Sequence, residues 1–239
     1  MVAVTRIQSR KALHLGFQKF IPKKTFQALR AALYFLWLQT QYTLAMKGYA
    51  VLHLFKVMLR IDQPNTQTTP AERKALEKYA TGARTAIEIG VYEGVNTAII
   101  ARTLGKDGTT YGIDPFFKGR LGICYPKIIT QLHLKRNGVS KRVGLIEKLS
   151  FDAVDDVPEK VDFIFIDGDH SYEGIRKDWA LYSDKLKPGG IMALHDTSTI
   201  TADAGYVQDS VRYYSDVIRG DQRYEWLETI DRMNVLRRK

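Results

Sequence analysis

The chain has 239 residues, of which 45% are hydrophobic, so it can bury a core of catalytic-domain size. Its single cysteine, Cys124, excludes a disulfide framework and a metal site built from cysteines. The formal net charge is +10, from 36 basic and 26 acidic residues. This excess of positive charge is the first feature that bears on function, because it is unevenly distributed.

All of the excess positive charge lies in residues 1–61. This segment contains ten Lys or Arg residues and no Asp or Glu, which leaves 26 residues of each sign for the rest of the chain. An evenly basic nucleic-acid-binding protein would not divide its charge in this way. The sequence therefore predicts a basic arm over residues 1–61 and a neutral domain over residues 71–239. A polar stretch with two prolines, residues 62–70, is the predicted linker between them.

The arm contains an uncharged and largely apolar run from Ala31 to Met46. This run has sixteen residues, fewer than the ~20 that span a bilayer, so a membrane-spanning helix is the least favoured interpretation. Two others stay open. The arm forms a helix on an anionic membrane, which predicts a cytoplasmic protein peripheral at the membrane. Alternatively, it packs on the catalytic domain or on a second copy of the chain, which predicts a homo-oligomer.

Strands and helices alternate through the remainder of the chain. The predicted helices are 70–79, with Thr69 as its cap, then 95–104, 125–136, 172–186 and 206–218. The predicted strands are 85–89, 109–113, 143–146, 161–166, 191–194, 224–229 and 233–236. This alternation is typical of an α/β fold with a doubly wound, mostly parallel sheet, here of seven strands.

Ligands of such sheets bind beyond the carboxyl ends of the strands, and here these ends are rich in acids. The loop after the first strand runs from Glu88 to Gly94, with glycines at positions 90 and 94. Tyr92 stands where a dinucleotide-binding loop has its middle glycine, the residue that lets the backbone approach a diphosphate. The loop therefore disfavours NAD and ATP and suits a cofactor that has a cationic centre and no phosphate.

Four further motifs occur at the ends of later strands. They are Asp114, the string Phe165–Gly174 (FIDGDHSYEG), the turn Leu186–Gly190 (LKPGG) and the segment Leu194–Thr197 (LHDT). Together with the Glu88–Gly94 loop, they resemble the class I S-adenosylmethionine-dependent methyltransferases, in particular the branch of small-molecule and sugar O-methyltransferases. The resemblance covers about residues 70–239. It implies a Rossmann-like methyltransferase fold and methyl transfer to a hydroxyl of a small-molecule, sugar or lipid-linked acceptor.

The resemblance also implies which residues bind S-adenosylmethionine. Glu88, Gly90 and Gly94 would border the methionine part of the cofactor, Asp114 the ribose hydroxyls and Ser150 the adenine. The residues alone leave other roles open. Acids at strand ends often bind loop amides, and Ser150 is equally well placed to cap a helix.

The same resemblance implies His170 and Asp167 as catalytic residues and a divalent-cation site, for Mg or Mn, formed by Asp167, His195 and Asp196. A cation of this kind lowers the pKa of a hydroxyl and orients it for attack. An imidazole, which titrates near ~6.5, can accept the hydroxyl proton at neutral pH, so His170 suits a general base. Because hard cations prefer oxygen ligands, a second interpretation is that His195 only orients Asp196 or contacts the acceptor.

Three other functions fit parts of the sequence less well. A membrane-surface or oligomerising binding protein would retain the cofactor pocket with little turnover, but the presence of His170 and Asp196 argues against it. A nucleic-acid methyltransferase would bind phosphates through the arm, but no base-pocket motif of the Asn/Asp-Pro-Pro-Tyr kind occurs. An NAD-dependent dehydrogenase is disfavoured by the glycine loop. The acceptor itself is expected to be selected by Phe116–Pro126 and Thr197–Tyr206.

Overall fold

The structure is a computed structural model that describes residues 49–119, 122–198 and 209–239. The chain divides into two compact units, Met1–His53 and Leu54–Lys239. The apolar run at residues 31–46 lies outside the described residues, so both interpretations of the arm stay open. Within the described ranges, no helix is long and apolar enough to cross a membrane.

Seven strands of the described residues form one sheet in the order β3-β2-β1-β4-β5-β7-β6. Strands β1 to β5 are parallel, and β7 runs antiparallel between β5 and β6. The bounds are β1 Thr85–Ile89, β2 Thr109–Ile113, β3 Val143–Ile146, β4 Val161–Ile166, β5 Leu186–Leu194, β6 Tyr224–Ile230 and β7 Met233–Arg238. The predicted fold class is thus confirmed, and the strand order reverses between β1 and β4, where ligands of such sheets bind.

Helices cover both faces of this sheet, namely α2 Pro70–Ala80, α3 Val95–Thr103, α4 Tyr125–Arg136, α5 Tyr172–Tyr182 and α6 Asp209–Asp216. Before them, helix α1 is described over residues 49–58. Helix α2 begins with a capping box, in which Thr69 Oγ1 accepts from the amide of Glu72 and Glu72 Oε2 accepts from the amide of Thr69. The predicted cap at Thr69 is confirmed.

Two neighbouring predicted boundaries are wrong by several residues. The helix expected over residues 172–186 ends at Tyr182, and β5 begins at Leu186 rather than at Ile191. The reason is that the Lys-Pro-Gly-Gly turn is incorporated into the strand, because Leu186 pairs with Val161 and the register shifts before Phe163 pairs with Ile191. Pairing with a neighbouring strand is a tertiary effect that the local turn signal does not reveal.

Strand β4 lies at the centre of the core. Phe163 and Phe165 pack on one face of the sheet with Leu76 of α2 and Ile100 of α3. Ile164 and Ile166 project from the opposite face and pack with residues of α5 such as Trp179. Burial on both faces fixes the position of β4 and therefore of Asp167, which follows it directly.

The stretch predicted as a linker belongs to the compact unit, which begins at Leu54. The Thr68 hydroxyl donates to Asn96 Oδ1 over 2.9 Å, and the amide of Asn65 donates to the Glu93 carboxylate in the glycine loop. These polar residues find partners in the loop after β1 and at the start of α3. Residues 62–70 are therefore built into the edge of the sheet where the predicted site lies.

Candidate functional site

A cavity of about 640 Å³ lies at the carboxyl ends of β1, β2 and β4. Its lining includes five of the predicted site residues, which are Gly90, Asp114, Ser150, Asp167 and His170. Its volume falls within the ~300–1,000 Å³ of small-molecule and cofactor sites. The strand ends identified from the sequence thus form a concave site in the described part of the chain.

The glycine loop passes very close to the end of β4. Gly90 has a φ of +89°, and a Cβ atom there would lie 2.1 Å from the carbonyl oxygen of Asp167. Gly94, with a φ of +78°, caps α3, and a Cβ atom there would lie 2.8 Å from Thr130 Cγ2. Glycine is therefore required at both positions, but only Gly90 is among the residues that line the cavity.

Asp114 holds this loop in its conformation. Its Oδ2 accepts hydrogen bonds from the amides of Val91 and Tyr92, over 3.0 and 2.9 Å, and its Oδ1 accepts from the amide of Phe116 over 2.8 Å. Tyr92 adopts a φ of +53°, which is unusual for a residue other than glycine, and the bond to Asp114 stabilises it. A carboxylate has roughly four lone-pair sites, so Asp114 keeps about one acceptor site for a ligand.

Glu88 lies beneath the loop and does not line the cavity. Its side chain is fully buried, and neither carboxyl oxygen has a hydrogen-bond partner among the described residues. Burial raises the pKa of this carboxyl well above its usual value, and the nearby carboxylates of Asp167 and Asp114 raise it further. Burial therefore favours the protonated form of Glu88, which carries no negative charge under the site.

Ser150 lines the cavity and is fixed by two residues of α5. Its hydroxyl donates to Asp178 Oδ1, and its carbonyl oxygen accepts from the Tyr182 hydroxyl over 2.6 Å. Asp178 is buried, and burial raises its pKa to about 6. The sequence analysis missed this residue, although it shares the apolar side of α5 with Ile175 and Tyr182, which is an unusual place for an acid.

Asp167, His170, His195 and Asp196 come together where β4 and β5 end. His195 Nδ1 lies 2.8 Å from Asp167 Oδ1. His170 Nε2 lies 3.6 Å from Asp196 Oδ2 and 3.8 Å from Asp167 Oδ1. The sequence predicted this convergence correctly, because parallel strands end at the same edge of the sheet.

Two further residues complete the cluster and were not predicted. Glu72 of α2 is fully buried, and its Oε2 lies 3.3 Å from His195 Nε2. Arg232, in the turn between β6 and β7, places Nη1 2.8 Å from Asp196 Oδ1. The sequence indicated Thr69 as the cap of α2, but no sequence signal connects Glu72 to His195 or Arg232 to Asp196.

The cluster does not fit a divalent cation as it is arranged. Burial alone would lower the pKa of the His195 imidazole, but the carboxylates of Asp167 and Glu72 outweigh that effect and raise it to about 10. A protonated imidazole must lose its proton before it can bind a metal, and the Arg232 guanidinium already pairs with Asp196 Oδ1. The described residues contain no group of three or more His, Cys, Asp or Glu side chains arranged to hold a metal ion.

The raised pKa of Asp178 predicts a pH-dependent stability. The folded state favours the protonated carboxyl, so its stabilisation is complete below pH ~4 and is lost as the pH rises through about 6. An Asp178→Asn variant has no carboxyl group at this position, so it does not lose this stabilisation as the pH rises. Relative to the wild type, its free energy of unfolding should improve by up to about 3 kcal/mol between pH ~4 and pH ~8.

Urea unfolding followed by circular dichroism at both pH values measures the difference. Asp107→Asn, at an exposed position, serves as the control. Equal pH dependence in the wild type and Asp178→Asn would contradict the assignment.

Comparison with known proteins gives matches to both the sequence and the fold. Residues 87–197 match the family described as "Methyltransferase domain". "Uncharacterized protein R132" of Acanthamoeba polyphaga mimivirus is 30% identical over 122 residues, covering 47% of this chain and 51% of that protein. "Tricin synthase 2" of Oryza sativa subsp. japonica is 27% identical over 160 residues, covering 61% of this chain and 52% of that protein. This chain spans about half the length of these curated relatives.

The fold also matches solved structures. An O-methyltransferase from Bacillus cereus in complex with SAH superimposes with a TM-score of 0.56 at 20% sequence identity. The match covers 80% of this chain and 91% of that one. At this identity the likeness establishes the fold, and it agrees with the Rossmann-like methyltransferase architecture expected from the motifs.

Proposed function

We propose that this chain, whose residues 87–197 match a methyltransferase-domain family, transfers a methyl group from S-adenosylmethionine to a hydroxyl oxygen. The acceptor class is a small molecule, a sugar or a lipid-linked hydroxyl compound. One observation carries this proposal. The cavity at the carboxyl edge brings the glycine loop and Asp114 together with His170, a group able to accept a proton.

The residues of the cavity fit this cofactor. Asp114 retains an acceptor site for a ribose hydroxyl, and Tyr92 and Glu93 in the loop disfavour a diphosphate. The negative charges of Asp167 and Asp169 in the cavity lining favour a cofactor that carries positive charge. When bound, S-adenosylmethionine supplies a methyl group on a positively charged sulfur.

His170 is the proposed general base. As the acceptor oxygen forms its bond to the methyl carbon, the carbon–sulfur bond breaks and its electron pair stays on sulfur. The hydroxyl proton passes to His170 Nε2, and the imidazolium that forms faces Asp196 Oδ2 at 3.6 Å and Asp167 Oδ1 at 3.8 Å. Both carboxylates thus stabilise positive charge on His170 as the methyl group is transferred.

We assign no divalent cation to this reaction. His195 and Arg232 provide positive charge at the two carboxylates where the sequence suggested Mg or Mn. Glu72 and Arg232 act as positioning residues, because they fix His195 and Asp196 without lining the cavity.

Replacement of Asp114 should weaken cofactor binding. Asp114→Ala removes an acceptor for the ribose and the three amide bonds that hold the loop. We expect the dissociation constant for S-adenosylmethionine to rise by roughly 10- to 150-fold, or about 1–3 kcal/mol. Calorimetric titration of the wild type, Asp114→Ala and the exposed-site control Asp107→Ala measures this effect. Unchanged affinity in Asp114→Ala, or tight binding of NAD by the wild type, would refute the cofactor assignment.

Replacement of His170 should slow transfer and leave cofactor affinity nearly unchanged. His170→Gln keeps the polarity of the side chain but removes the base, so we expect the rate to fall by about 10²- to 10⁴-fold. The measurement is transfer of radiolabelled methyl from S-adenosylmethionine to a panel of catechol-type and sugar hydroxyl acceptors. His133→Gln, on α4 away from the cavity, is the control. Equal rates for His170→Gln and the wild type would remove His170 from the mechanism.

A further inference from the structure

Two segments without acidic residues meet in the described structure. Residues 115–146 contain seven Lys or Arg and no Asp or Glu. Residues 1–61 likewise contain no acidic residue, and they contain ten basic ones. The end of α1 packs on α4 through Leu54, Val57 and Ile129. The basic character predicted for the arm therefore continues onto the catalytic unit, where α4 adds to it.

Hydrogen bonds fix the end of α1 against α4. Arg136 donates to the carbonyl oxygens of Val57 and Met58, over 2.7 and 2.8 Å. The chain then turns at Arg60, which has a φ of +61°, and the amide of Ile61 donates back to Lys56 over 2.8 Å. The orientation of the side chains at this end is therefore set by the fold.

The side of α1 that faces away from α4 is apolar and exposed. Phe55 and Leu59, four residues apart on one side of the helix, are 55% and 69% exposed, and Ile61 is 70% exposed. We call this surface the outer face. It consists of the exposed side chains Phe55, Lys56, Met58, Leu59, Arg60 and Ile61.

Charge and apolar exposure together identify what binds this surface. We propose that the outer face binds the surface of an anionic lipid bilayer, with its apolar side chains inserted and its basic side chains at the headgroups. A second copy of the chain would bring like charges together on this face. Nucleic acid would neutralise the charge but would leave Phe55, Leu59 and Ile61 in water.

The proposal goes beyond methyl transfer and does not depend on it.

Co-sedimentation of the full chain with vesicles tests the proposal. The vesicles consist of phosphatidylcholine alone or with about a third phosphatidylserine. The test variant is Phe55→Ser with Lys56→Glu on the outer face. The matched control, Trp226→Ser with Lys74→Glu, makes the same kinds of exchange at exposed positions on β6 and α2.

The full chain and the control should bind the anionic vesicles at low salt and dissociate from them at high salt. Neither should bind vesicles of phosphatidylcholine alone. The test variant should bind at least ~10-fold more weakly, because it loses inserted apolar area and reverses one charge. Equal binding by the test variant and the control would overturn the proposal, as would failure of the full chain to bind at low salt. A wild-type dimer in sedimentation velocity that becomes monomeric only in the test variant would assign the face to a second copy and also overturn it. Thermal unfolding of both variants confirms that each is folded.

Discussion

Negative charge concentrated at the carboxyl ends of the parallel strands is the constraint on which this site depends. Glu88, Asp114, Asp167 and Asp196 lie at the ends of β1, β2, β4 and β5, and a parallel sheet brings these ends to one edge. Carboxylates this close repel one another, and partial burial increases the cost. Most contacts around these acids either neutralise a carboxylate or balance its charge.

Each acid is compensated in a different way, and each way has a functional consequence. Burial favours the neutral, protonated form of Glu88 beneath the loop. Asp114 accepts three amide hydrogen bonds and thereby shapes the loop after β1. Asp167 and Asp196 face His195 and Arg232, and His170 lies 3.8 and 3.6 Å from the same two carboxylates. The same two carboxylates, Asp167 and Asp196, thus pair with the chain's own cations and face the proposed general base His170.

The sequence predicted what depends on local pattern and on the geometry of parallel strands. The alternation of strands and helices was sufficient to predict the sheet. The positions just after each strand were sufficient to predict that Asp167, His170, His195 and Asp196 lie close together. The resemblance added two assignments that stay predictions, Ser150 at the adenine and Asp114 at the ribose. The three amide bonds of Asp114 needed the structure, because they depend on the path of the glycine loop.

The partners that balance the cluster could not be predicted, because they come from distant parts of the chain. Glu72 is 123 residues from His195, and Arg232 lies in a turn between two antiparallel strands. Nothing in their local sequence indicates where tertiary packing places them. The same is true of Asn65 and Thr68, whose polar stretch has the composition of a linker and yet is bound to the cavity edge.

We infer that His195 and Arg232, rather than a metal ion, neutralise Asp167 and Asp196 at this edge of the sheet. Titration of Mn²⁺ into the purified protein, followed by the electron paramagnetic resonance signal of free Mn²⁺, tests it most directly. If His195 and Arg232 neutralise the carboxylates, the signal of free Mn²⁺ should rise in proportion to added Mn²⁺, with no saturable site. Stoichiometric uptake of Mn²⁺ that disappears in an Asp167→Asn variant would contradict it.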